Sequence, residues 1–591
     1  MLRGLKWQLL LLTLAIILLG GAILLQPGQP EEAPPQLPPP TVTPVSATVL
    51  PTPLPPQAID SPVVFREGVV GQVQRLNPLY ADLNPVDRDI TRLIFEGLVT
   101  TNAYGEYQPL LASEWLIASN QLEYVFRLRQ DVLWQDGLPF TAADVAATVA
   151  LLQSTDSALP EDLVAFWRTV ELEVLDEYTV RFRLAQPLAA FLDYLRVGIL
   201  PAHVFGGLPA ALLPGHPFNL SPIGTGPYQL EAVSGSDAGV TAVSLRVAPA
   251  FRQRPEGRGT YAMERLVFRT FRSQEDALAA LRAGEIDGLG GVDATAVTDL
   301  EQAGIVHTHL SLAPVLGVVL FNWESAHTAA FRDQRVRQAL IAGVDRTGLV
   351  NRQLSGKAVA ADSPLIPGSW AYRQVDAWPA YDPVAVRESL GAITFARPTP
   401  TPEPTLTLAP EETVEPTLTP TEPPPVYDFG LLCSDDPLHV AVMTDLASQW
   451  SQLGLEVRLE AVPLQEFYRR LEDGDFDVAL VELSLSPRVD PDPYAFWHQG
   501  QYPDGQNYAG INDRRSSELL ERARRDPNGI HRAEYYAEFQ QVFASRTLAL
   551  PLYYPVYAYA VSARFEGIEI SYMSTPADRF FSLAGWRLVG R

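Results

Sequence analysis

A proline-rich tract divides this sequence, and its position leaves two arrangements: two separate domains, or one domain that the tract interrupts. The tract, RPTPTPEPTLTLAPEETVEPTLTPTEPPP, covers Arg397–Pro425, and ten of its 29 residues are proline. Most of the others are threonine and glutamate, so the tract cannot bury enough apolar surface to offset the entropy cost of ordering. We therefore predict a disordered insertion over residues 397–425.

The composition excludes several classes of protein. The chain has 591 residues, 47% of them hydrophobic, which is enough for two or three lobes with cores of their own. A formal net charge of −25 argues against nucleic acid as a partner, because phosphates require an excess of lysine and arginine. Cys433 is the only cysteine, and the eight histidines are not clustered at metal-ligand spacing. We predict no nucleic-acid partner, no metal site and no cofactor.

The N-terminus predicts a membrane segment. Arg3 and Lys6 precede an uncharged stretch of 19 residues that ends at Leu25 and nearly matches a bilayer core of about 30 Å. The positive flank should place the rest of the chain outside the cytoplasm. A cleaved signal peptide is the alternative to a transmembrane anchor over residues 1–25, and we favour the anchor because the apolar run is long. Residues 26–60 form a second proline-rich stretch, typical of a disordered, semi-rigid stalk.

Two similar helix–strand patterns lie on either side of the tract. In SQEDALAALRAGEIDGLGG, Ala277 and Leu281 share one helix face, and Gly284 is placed to end the helix. LQEFYRRLEDGDFDVALVEL repeats this order after the tract, with Gly474 at the helix end and a buried strand over Phe476–Leu480. Both patterns are typical of αβ units in an open sheet, where ligands bind beyond the ends of the strands.

Other signals before the tract indicate the same mixture of elements. LEYVFRLR and YTVRFRLA alternate apolar and polar residues, as half-buried strands do. TAADVAATVALLQ starts a helix, with Thr141 as the N-cap and Asp144 placed to form a capping box. The predicted fold class is therefore α/β.

No catalytic motif accompanies these elements. The sequence contains no G-x-S-x-G, no GxxxxGK[ST] and no HExxH. Carboxylate pairs such as Asp475/Asp477 and Asp490/Asp492 occur, as chance predicts in an acidic chain. Aromatic clusters such as DPYAFWHQGQYPDGQNY and PLYYPVYAY instead favour a binding cleft. We predict a protein that binds a solute and is not an enzyme.

Several stretches, taken in order, resemble the family 5 extracytoplasmic solute-binding proteins of ABC importers, the oligopeptide-, dipeptide- and nickel-binding group. The most specific is YVFRLRQDVLWQDGLPFTAADV, which matches the family signature W-x-DG-x-P-[FL]-TA-x-DV. LNPLYADLNPVDRDITRLIFEGLV precedes it, and PIGTGPYQL, RAGEIDG, LEDGDFDVALVE and VDPDPYAFW follow in the expected order. We interpret Trp134, Asp136 and Gly137 of the signature as a structural turn. The resemblance spans about Val63 to Arg591.

This resemblance implies an α/β, two-lobed, periplasmic-binding-protein-like fold (type II, Venus flytrap) with an extra subdomain. The expected parts are lobe I at 61–100, 216–310 and 556–591, the extra subdomain at 101–215, and lobe II at 311–555. The tract then interrupts lobe II, because YDPVAVRESL before it and a strand–helix–strand pattern after it belong to the same lobe.

The resemblance also implies where a ligand is bound. The loop Tyr80–Asn84 matches the segment whose backbone pairs with an extended peptide like an added strand. Asp490 lies near the family's acid that neutralises a peptide's α-amine, although that position itself falls on Pro487 here. The implied ligand contacts are Tyr80, Asp82, Asn84, Phe321, Asn322, Trp323, Asp490, Asp492, Trp497 and Tyr553.

The function implied is that of an extracytoplasmic receptor (periplasmic or cell-surface), tethered to the plasma membrane by the N-terminal segment. It would capture peptides or similar small solutes and deliver them to ABC permease subunits. One alternative is an oligosaccharide receptor, because the candidate cleft loops are rich in aromatic residues. Another is a membrane-tethered sensory or scaffolding module that retains the binding fold without an importer, which the departure at Pro487 favours.

Overall fold

The computed structural model describes residues 62–236, 239–327, 329–392, 428–485 and 488–589. The predicted anchor, stalk and insertion lie outside these residues, as does Pro487. Within the described ranges, no helix has both the length and the apolar character needed to cross a lipid bilayer.

Helices and strands are mixed along the described chain. The helices are α1 Pro85–Ile94, α2 Ala142–Leu152, α3 Glu161–Trp167, α4 Phe191–Tyr194, α5 Ala202–Phe205, α6 Pro249–Arg252, α7 Gln274–Arg282, α8 Thr298–Gln302, α9 Gln334–Ala342, α10 Arg346–Leu354, α11 Pro383–Ala392, α12 Pro437–Gln452, α13 Leu464–Asp473, α14 Tyr494–Trp497, α15 Arg514–Arg525 and α16 Gly529–Ser545. The strands are β1 Val64–Val70, β2 Val99–Thr101, β3 Tyr107–Pro109, β4 Ala112–Ile117, β5 Glu123–Leu128, β6 Val170–Asp176, β7 Thr179–Leu184, β8 Tyr228–Ser236, β9 Gly239–Val247, β10 Arg265–Phe271, β11 Gly288–Gly290, β12 Val306–Leu312, β13 Val315–Phe321, β14 Ala358–Ala360, β15 Asp428–Ser434, β16 Glu456–Val462, β17 Val478–Ser484, β18 Leu550–Ser562, β19 Phe565–Glu566 and β20 Arg587–Leu588.

A twelve-stranded sheet forms the centre of the molecule. Its main order is β16-β15-β17-β13-β18-β11-β1-β10-β9-β8, and β12 and β14 also pair with β18. Up to Pro555, the residues of β18 pair with β13 and β14. From Val556 onward they pair with β12 and β11. One strand therefore joins the two halves of the sheet in a continuous hydrogen-bonded ladder.

The second half of the sheet, β13 to β17, is covered by helices on both faces. Side chains alternate along each strand, so neighbouring residues enter different cores. Val478 and Leu480 of β17 enter one core together with Trp450 of α12. Ala479 and Val481 enter a second core that includes side chains from α13, α15 and α16. Burial on both faces explains why this strand is a nearly continuous apolar run in the sequence.

The residues on either side of the predicted insertion share one core. Val386 and Leu390 belong to α11, the last helix before the insertion. They lie in the same hydrophobic cluster as Phe429 and Leu431 of β15, the first strand after it. β15, α12 and β16 then form the predicted strand–helix–strand unit, with the two strands parallel. The chain therefore returns after the insertion to the core that it left.

The first half of the main sheet consists of β11, β1, β10, β9 and β8. It shares its core with a separate antiparallel sheet of four strands, in the order β4-β5-β7-β6. Phe65 and Phe268 of the main sheet and Phe126 and Phe182 of the small sheet belong to one hydrophobic cluster. The stretches LEYVFRLR and YTVRFRLA contain β5 and β7, which pair with each other, as their alternation predicts.

The predicted helix ends are confirmed. Thr141 and Asp144 form the capping box at the start of α2. Gly284 and Gly474 follow α7 and α13 with φ of +67° and +69°, a backbone conformation that glycine adopts without strain.

The signature Trp134–Gly137 forms a turn, as interpreted from the sequence. Trp134 is buried, its backbone N–H donates to the carbonyl of Leu138, and Gly137 has a φ of +93°. A second prediction is shifted by two residues, because the strand expected from Phe476 begins at Val478. Asp477 precedes it and accepts the N–H of Gly430 through its side chain.

Candidate functional site

A cavity of about 570 Å³ opens where distant segments of the chain meet. This volume is within the usual range for small-molecule sites, about 300–1,000 Å³. The walls are drawn from segments 78–100, 152–167, 193–198, 227–261 and 575–583, and from Leu110 and Arg488. The cavity is therefore a well-formed candidate for a ligand site.

Four arginines line this cavity. Arg88 and Arg92 lie four positions apart on α1, so their side chains share one helix face. Arg196 follows the short helix α4, and Arg488 follows β17. A guanidinium group presents five N–H donors in a planar fork that matches a carboxylate. The wall is therefore rich in donors for anionic groups.

Arg92 and Arg196 both interact electrostatically with Asp578. Its Oδ1 lies 3.1 Å from Nη2 of Arg92, and its Oδ2 accepts hydrogen bonds from the backbone of Ser574 and Thr575. Burial would raise the pKa of Asp578, but Arg92 and Arg196 hold it below its ordinary value. Burial lowers the pKa of Arg92, against the opposing effect of Asp578, and the charge of Arg196 also lowers it. Arg92 and Asp578 thus form an enclosed ion pair beside the cavity.

Asp82 faces the same group of arginines. Its Oδ1 lies 4.0 Å from Nη1 of Arg88, too far for a hydrogen bond, and its side chain is 60% exposed. The surrounding walls raise the pKa of Asp82, against the opposing effect of Arg88, Arg196 and Arg92. The carboxylate therefore lines the cavity at the outer limit of an ion pair with Arg88 and without a hydrogen bond to it.

Asp193 links two distant parts of the chain. Its Oδ1 accepts from Nη1 of Arg196 at 3.0 Å, and its Oδ2 accepts the backbone N–H groups of Val489 at 3.0 Å and Asp490 at 3.4 Å. Burial raises the pKa of Asp193, against the effect of Arg196. The carboxylate thus ties the end of α4 to the loop that carries Arg488.

The loop predicted to pair with a peptide contributes one polar side chain to the cavity. Asp82 lines it, whereas the hydroxyl of Tyr80 is buried and donates to the carbonyl of Ser157. Burial raises the pKa of Tyr80 to about 12. Asn84 is the N-cap of α1, where its side-chain oxygen accepts the N–H of Val86.

The predicted stretch Phe321–Trp323 lies within the second half of the sheet. Phe321 is buried against Phe331 and Trp450. The amide of Asn322 donates to the carbonyls of Gly474 and Phe476, and is also buried. Trp323 lies under the guanidinium of Arg337, with 4.0 Å between the charged carbon and the ring centre. Their assignment as ligand contacts stays a prediction.

The two predicted acidic residues, Asp490 and Asp492, are paired with arginines of the helices α15 and α16. Asp490 is buried, and both of its oxygens accept from Arg532 at 2.7 Å. Oδ1 of Asp492 accepts the backbone N–H of Tyr494, and its Oδ2 lies 3.3 Å from Nε of Arg524. Burial raises the pKa of Asp492, and Arg524 opposes this effect.

The last two predicted contacts are enclosed by protein. Trp497 packs edge-on against Phe543, with ring centres 4.8 Å apart. Tyr553 lies on β18, and its hydroxyl donates to Glu482 at 2.8 Å. Of the ten predicted contacts, Asp82 is the one that lines the cavity within the described residues.

Sequence reasoning missed the arginines and Asp193. The spacing of Arg88 and Arg92 in VDRDITRL is a local signal that could have identified them, because positions i and i+4 share a helix face. Arg196, Asp193 and Arg488 carry no local signal, since they meet only after distant segments have folded together. Within the described ranges, no three His, Cys, Asp or Glu side chains form a group that could hold a metal ion.

Comparison with known proteins places the chain among binding proteins. The oligopeptide-binding protein AppA of Bacillus subtilis is 24% identical over 533 residues, which cover 88% of this chain and 91% of that relative. The structure of HbpA2 from Haemophilus parasuis covers 89% of this chain and 99% of its own, with a TM-score of 0.72 and 19% identity. That of NikZ from Campylobacter jejuni, in complex with Ni(L-His), covers 88% and 99%, with a TM-score of 0.64 and 23% identity.

These likenesses confirm the predicted fold, which is that of a two-lobed periplasmic binding protein. The profile of the bacterial extracellular solute-binding proteins, family 5 (middle region), matches residues 106–507. This match covers more than half of the sequence, and it agrees with the motifs that suggested the family. The chain is a member of family 5 of the bacterial extracellular solute-binding proteins.

Proposed function

We propose that this chain captures a peptide or similar small solute in the cleft between its lobes and delivers it to the permease of an ABC importer. The observation that carries the proposal is the 570 Å³ cavity. It is lined by residues 78–100 of the proposed lobe I, by residues 193–198 of the proposed extra subdomain and by Arg488 of the proposed lobe II. A ligand that contacts two lobes at once favours the arrangement in which the lobes are closed around it, as in hinged binding proteins.

The proposed boundary between the lobes is supported by the pairing of β18. The partner strands change between Pro555 and Val556, which is where lobe II ends and the last segment of lobe I begins in the proposal. The names of relatives such as the oligopeptide-binding protein AppA support a peptide-like solute. Membership of a family of binding proteins supports capture without chemical conversion.

We further propose that the protein works outside the cytoplasm, anchored by residues 1–25 and held away from the membrane by residues 26–60. The charged flank, the apolar run and the proline content of the sequence support this arrangement. Protease treatment of intact cells or spheroplasts tests it. The folded part should be digested while a cytoplasmic control protein survives, and protection of the chain would contradict the proposal.

A thermal-shift screen tests the proposed ligand class. Full-length protein in detergent is mixed with tripeptides, oligosaccharides or a nickel–histidine complex, and a bound solute should raise the melting temperature by mass action. We expect tripeptides to produce the shift. A shift with oligosaccharides alone would contradict the peptide assignment and favour the oligosaccharide receptor.

Uptake by living cells tests delivery to an importer. Deleting the gene should lower accumulation of the solute identified in the screen, and the restored gene should recover it. Normal uptake in the deletion strain would instead favour a sensory or scaffolding role. The genes next to this one supply an independent check, since an importer requires permease and ATPase subunits.

A further inference from the structure

Two of the four cavity arginines have no carboxylate oxygen closer than 4.0 Å among the described residues. Arg92 and Arg196 lie within 3.1 Å of Asp578 and Asp193, respectively. Arg88 and Arg488 are different, because the nearest carboxylate oxygen to Arg88 is 4.0 Å away and none among the described residues forms an ion pair with Arg488. These two guanidinium groups are therefore the candidates to bind an anion in the cavity.

Arg88 is the more enclosed of the two. Its side chain is only 15% exposed, and its Nε is buried without a hydrogen-bond partner among the described residues. The nearest carboxylate oxygen, Oδ1 of Asp82, is 4.0 Å from Nη1. A buried donor without a partner costs free energy. An anion with two oxygens would also match the fork of the guanidinium group.

Arg488 approaches the cavity from the opposite part of the sequence. Its guanidinium carbon lies 4.9 Å from the ring centre of Tyr194, which orients the group without neutralising its charge. The backbone next to it is fixed, because Val489 and Asp490 donate to Asp193. Arg488 is therefore positioned by its neighbours while its charge stays uncompensated by an ion pair.

Most carboxylates of the lining are already engaged. Glu96 accepts from Arg254 at 2.8 Å, and Glu256 from Arg129 at 2.6 Å. Asp162 lies in the first turn of α3, where free backbone N–H groups stabilise negative charge. Asp82 is left beside Arg88, and one carboxylate cannot satisfy the guanidinium groups of Arg88 and Arg488 together.

We propose that the solute is anionic, and that Arg88 and Arg488 bind its carboxylate groups from two sides of the cavity. The inference rests on the proposed function, because it assumes that the cavity holds the transported solute. It narrows that function to acidic peptides or other small polycarboxylates. Binding would supply the acceptors that Arg88 lacks and the counter-charge that Arg488 lacks.

The test compares probes of similar size and different charge on the full-length protein, by calorimetry at two salt concentrations. The probes are Ala-Glu-Glu, N-acetyl-Ala-Glu-Glu, Ala-Ala-Ala, Ala-Lys-Lys and citrate. We expect Ala-Glu-Glu to bind at least tenfold more tightly than Ala-Ala-Ala and Ala-Lys-Lys, and to weaken as salt is raised. Acetylation should leave binding intact, because recognition rests on the acid groups. Citrate distinguishes a general polycarboxylate site from a peptide site.

Substitutions of Arg88 and Arg488 test whether these two side chains cause the preference for acidic probes. Arg88→Gln and Arg488→Gln should each weaken Ala-Glu-Glu binding at least tenfold and leave Ala-Ala-Ala binding within twofold. Arg514→Gln is the matched control, because the side chain of Arg514 is 88% exposed and lies outside the cavity lining. The melting temperature without solute should not fall in Arg88→Gln, since no hydrogen bond from its guanidinium is lost.

Each outcome decides between the inference and the proposed function. If neutral or basic peptides bind as well as acidic ones, the protein is still a peptide receptor and the anionic preference is wrong. If acidic probes bind equally well to Arg88→Gln and Arg488→Gln, the assigned residues are wrong. Binding of none of the probes would contradict the inference and the proposed function together.

Discussion

Oδ2 of Asp193 lies 3.0 Å from the backbone nitrogen of Val489, although the two residues are 296 positions apart. The bond crosses from the proposed extra subdomain to the proposed lobe II, next to the cavity. A second bond, from the N–H of Ala189 to the carbonyl of Arg524, crosses between the same two parts at 2.8 Å. In the proposed hinged receptor these bonds must break when the extra subdomain and lobe II separate, and we call them the latch.

Asp193→Asn should therefore shift the protein toward an open form. The amide cannot provide the negative charge that Arg196 and the two N–H groups share, so the latch should weaken. We expect solute dissociation to accelerate several-fold, measured by stopped-flow fluorescence, and the radius of gyration without solute to increase in X-ray scattering. Asp376→Asn is the control, because Asp376 is exposed on the surface. An unchanged dissociation rate would show that Asp193 does not contribute to closure.

The substitution Asp490→Asn tests whether Asp490 stabilises the fold or contacts the ligand. Asp490 and Arg532 are 0% and 4% exposed and form two hydrogen bonds at 2.7 Å. Removing one partner of a buried ion pair leaves the other charge uncompensated, at a cost of about 3–5 kcal/mol. We expect a loss of that size in urea unfolding, and partial recovery in Asp490→Leu/Arg532→Met. Normal stability with abolished solute binding would instead support the ligand contact that the family resemblance implies.

Glu67 should make stability fall as pH rises. Its carboxylate is buried beside Arg579 and Tyr559, and burial raises its pKa from 4.5 to about 7, although Arg579 opposes the shift. Between these values the folded state binds a proton that the unfolded state has released, so the free energy of unfolding decreases as pH increases. The effect is about 1–3 kcal/mol between pH 4.5 and 7, since each pKa unit corresponds to about 1.4 kcal/mol.

Unfolding in urea at a series of pH values measures this effect. In Glu67→Gln, the slope of stability between pH 4.5 and 7 should become flatter, because the amide does not titrate in that range. Glu388→Gln is the matched control, since Glu388 is exposed on α11. An identical slope in the wild type and in Glu67→Gln would assign the pH dependence to other groups.

Replacing residues 397–425 with about eight glycine and serine residues should leave the fold and solute binding intact. The core contacts of Leu390 and Phe429 lie outside the replaced segment. The cost of closing a loop grows only with the logarithm of its length, so a shorter connection changes the stability little. Circular dichroism and the thermal shift with solute measure the result. Loss of the folded state would show that the insertion has a structural role.

Much of the fold is predictable because its signals are local. Gly284 and Gly474 mark helix ends through a backbone conformation that few other residues adopt, and Thr141 with Asp144 marks a helix start. The order of such signals along the chain was sufficient to suggest the family. The burial of the aromatic residues was not predictable, because Trp497 in a core and a tryptophan in a cleft look alike in a sequence.

The candidate site is less predictable because it depends on long-range contacts. Arg88 and Arg92 can be found by their spacing, but the sequence does not indicate which face of α1 meets a cavity. Asp193 and Val489 carry no pairing signal at all, since a carboxylate and a backbone N–H are present everywhere. Such contacts are fixed only when the sheets and helices between them have packed.

The shared strand β18 also sets a condition on biogenesis. Its residues 550–562 pair with strands of both halves, including β11, which itself pairs with β1 at residues 64–70. Ribosomes and translocation channels release the chain from its N-terminus, so neither half of the sheet can be completed until almost all of it has emerged. The ladder that joins the two halves of the central sheet is therefore completed late, once residues 550–562 are free to pair.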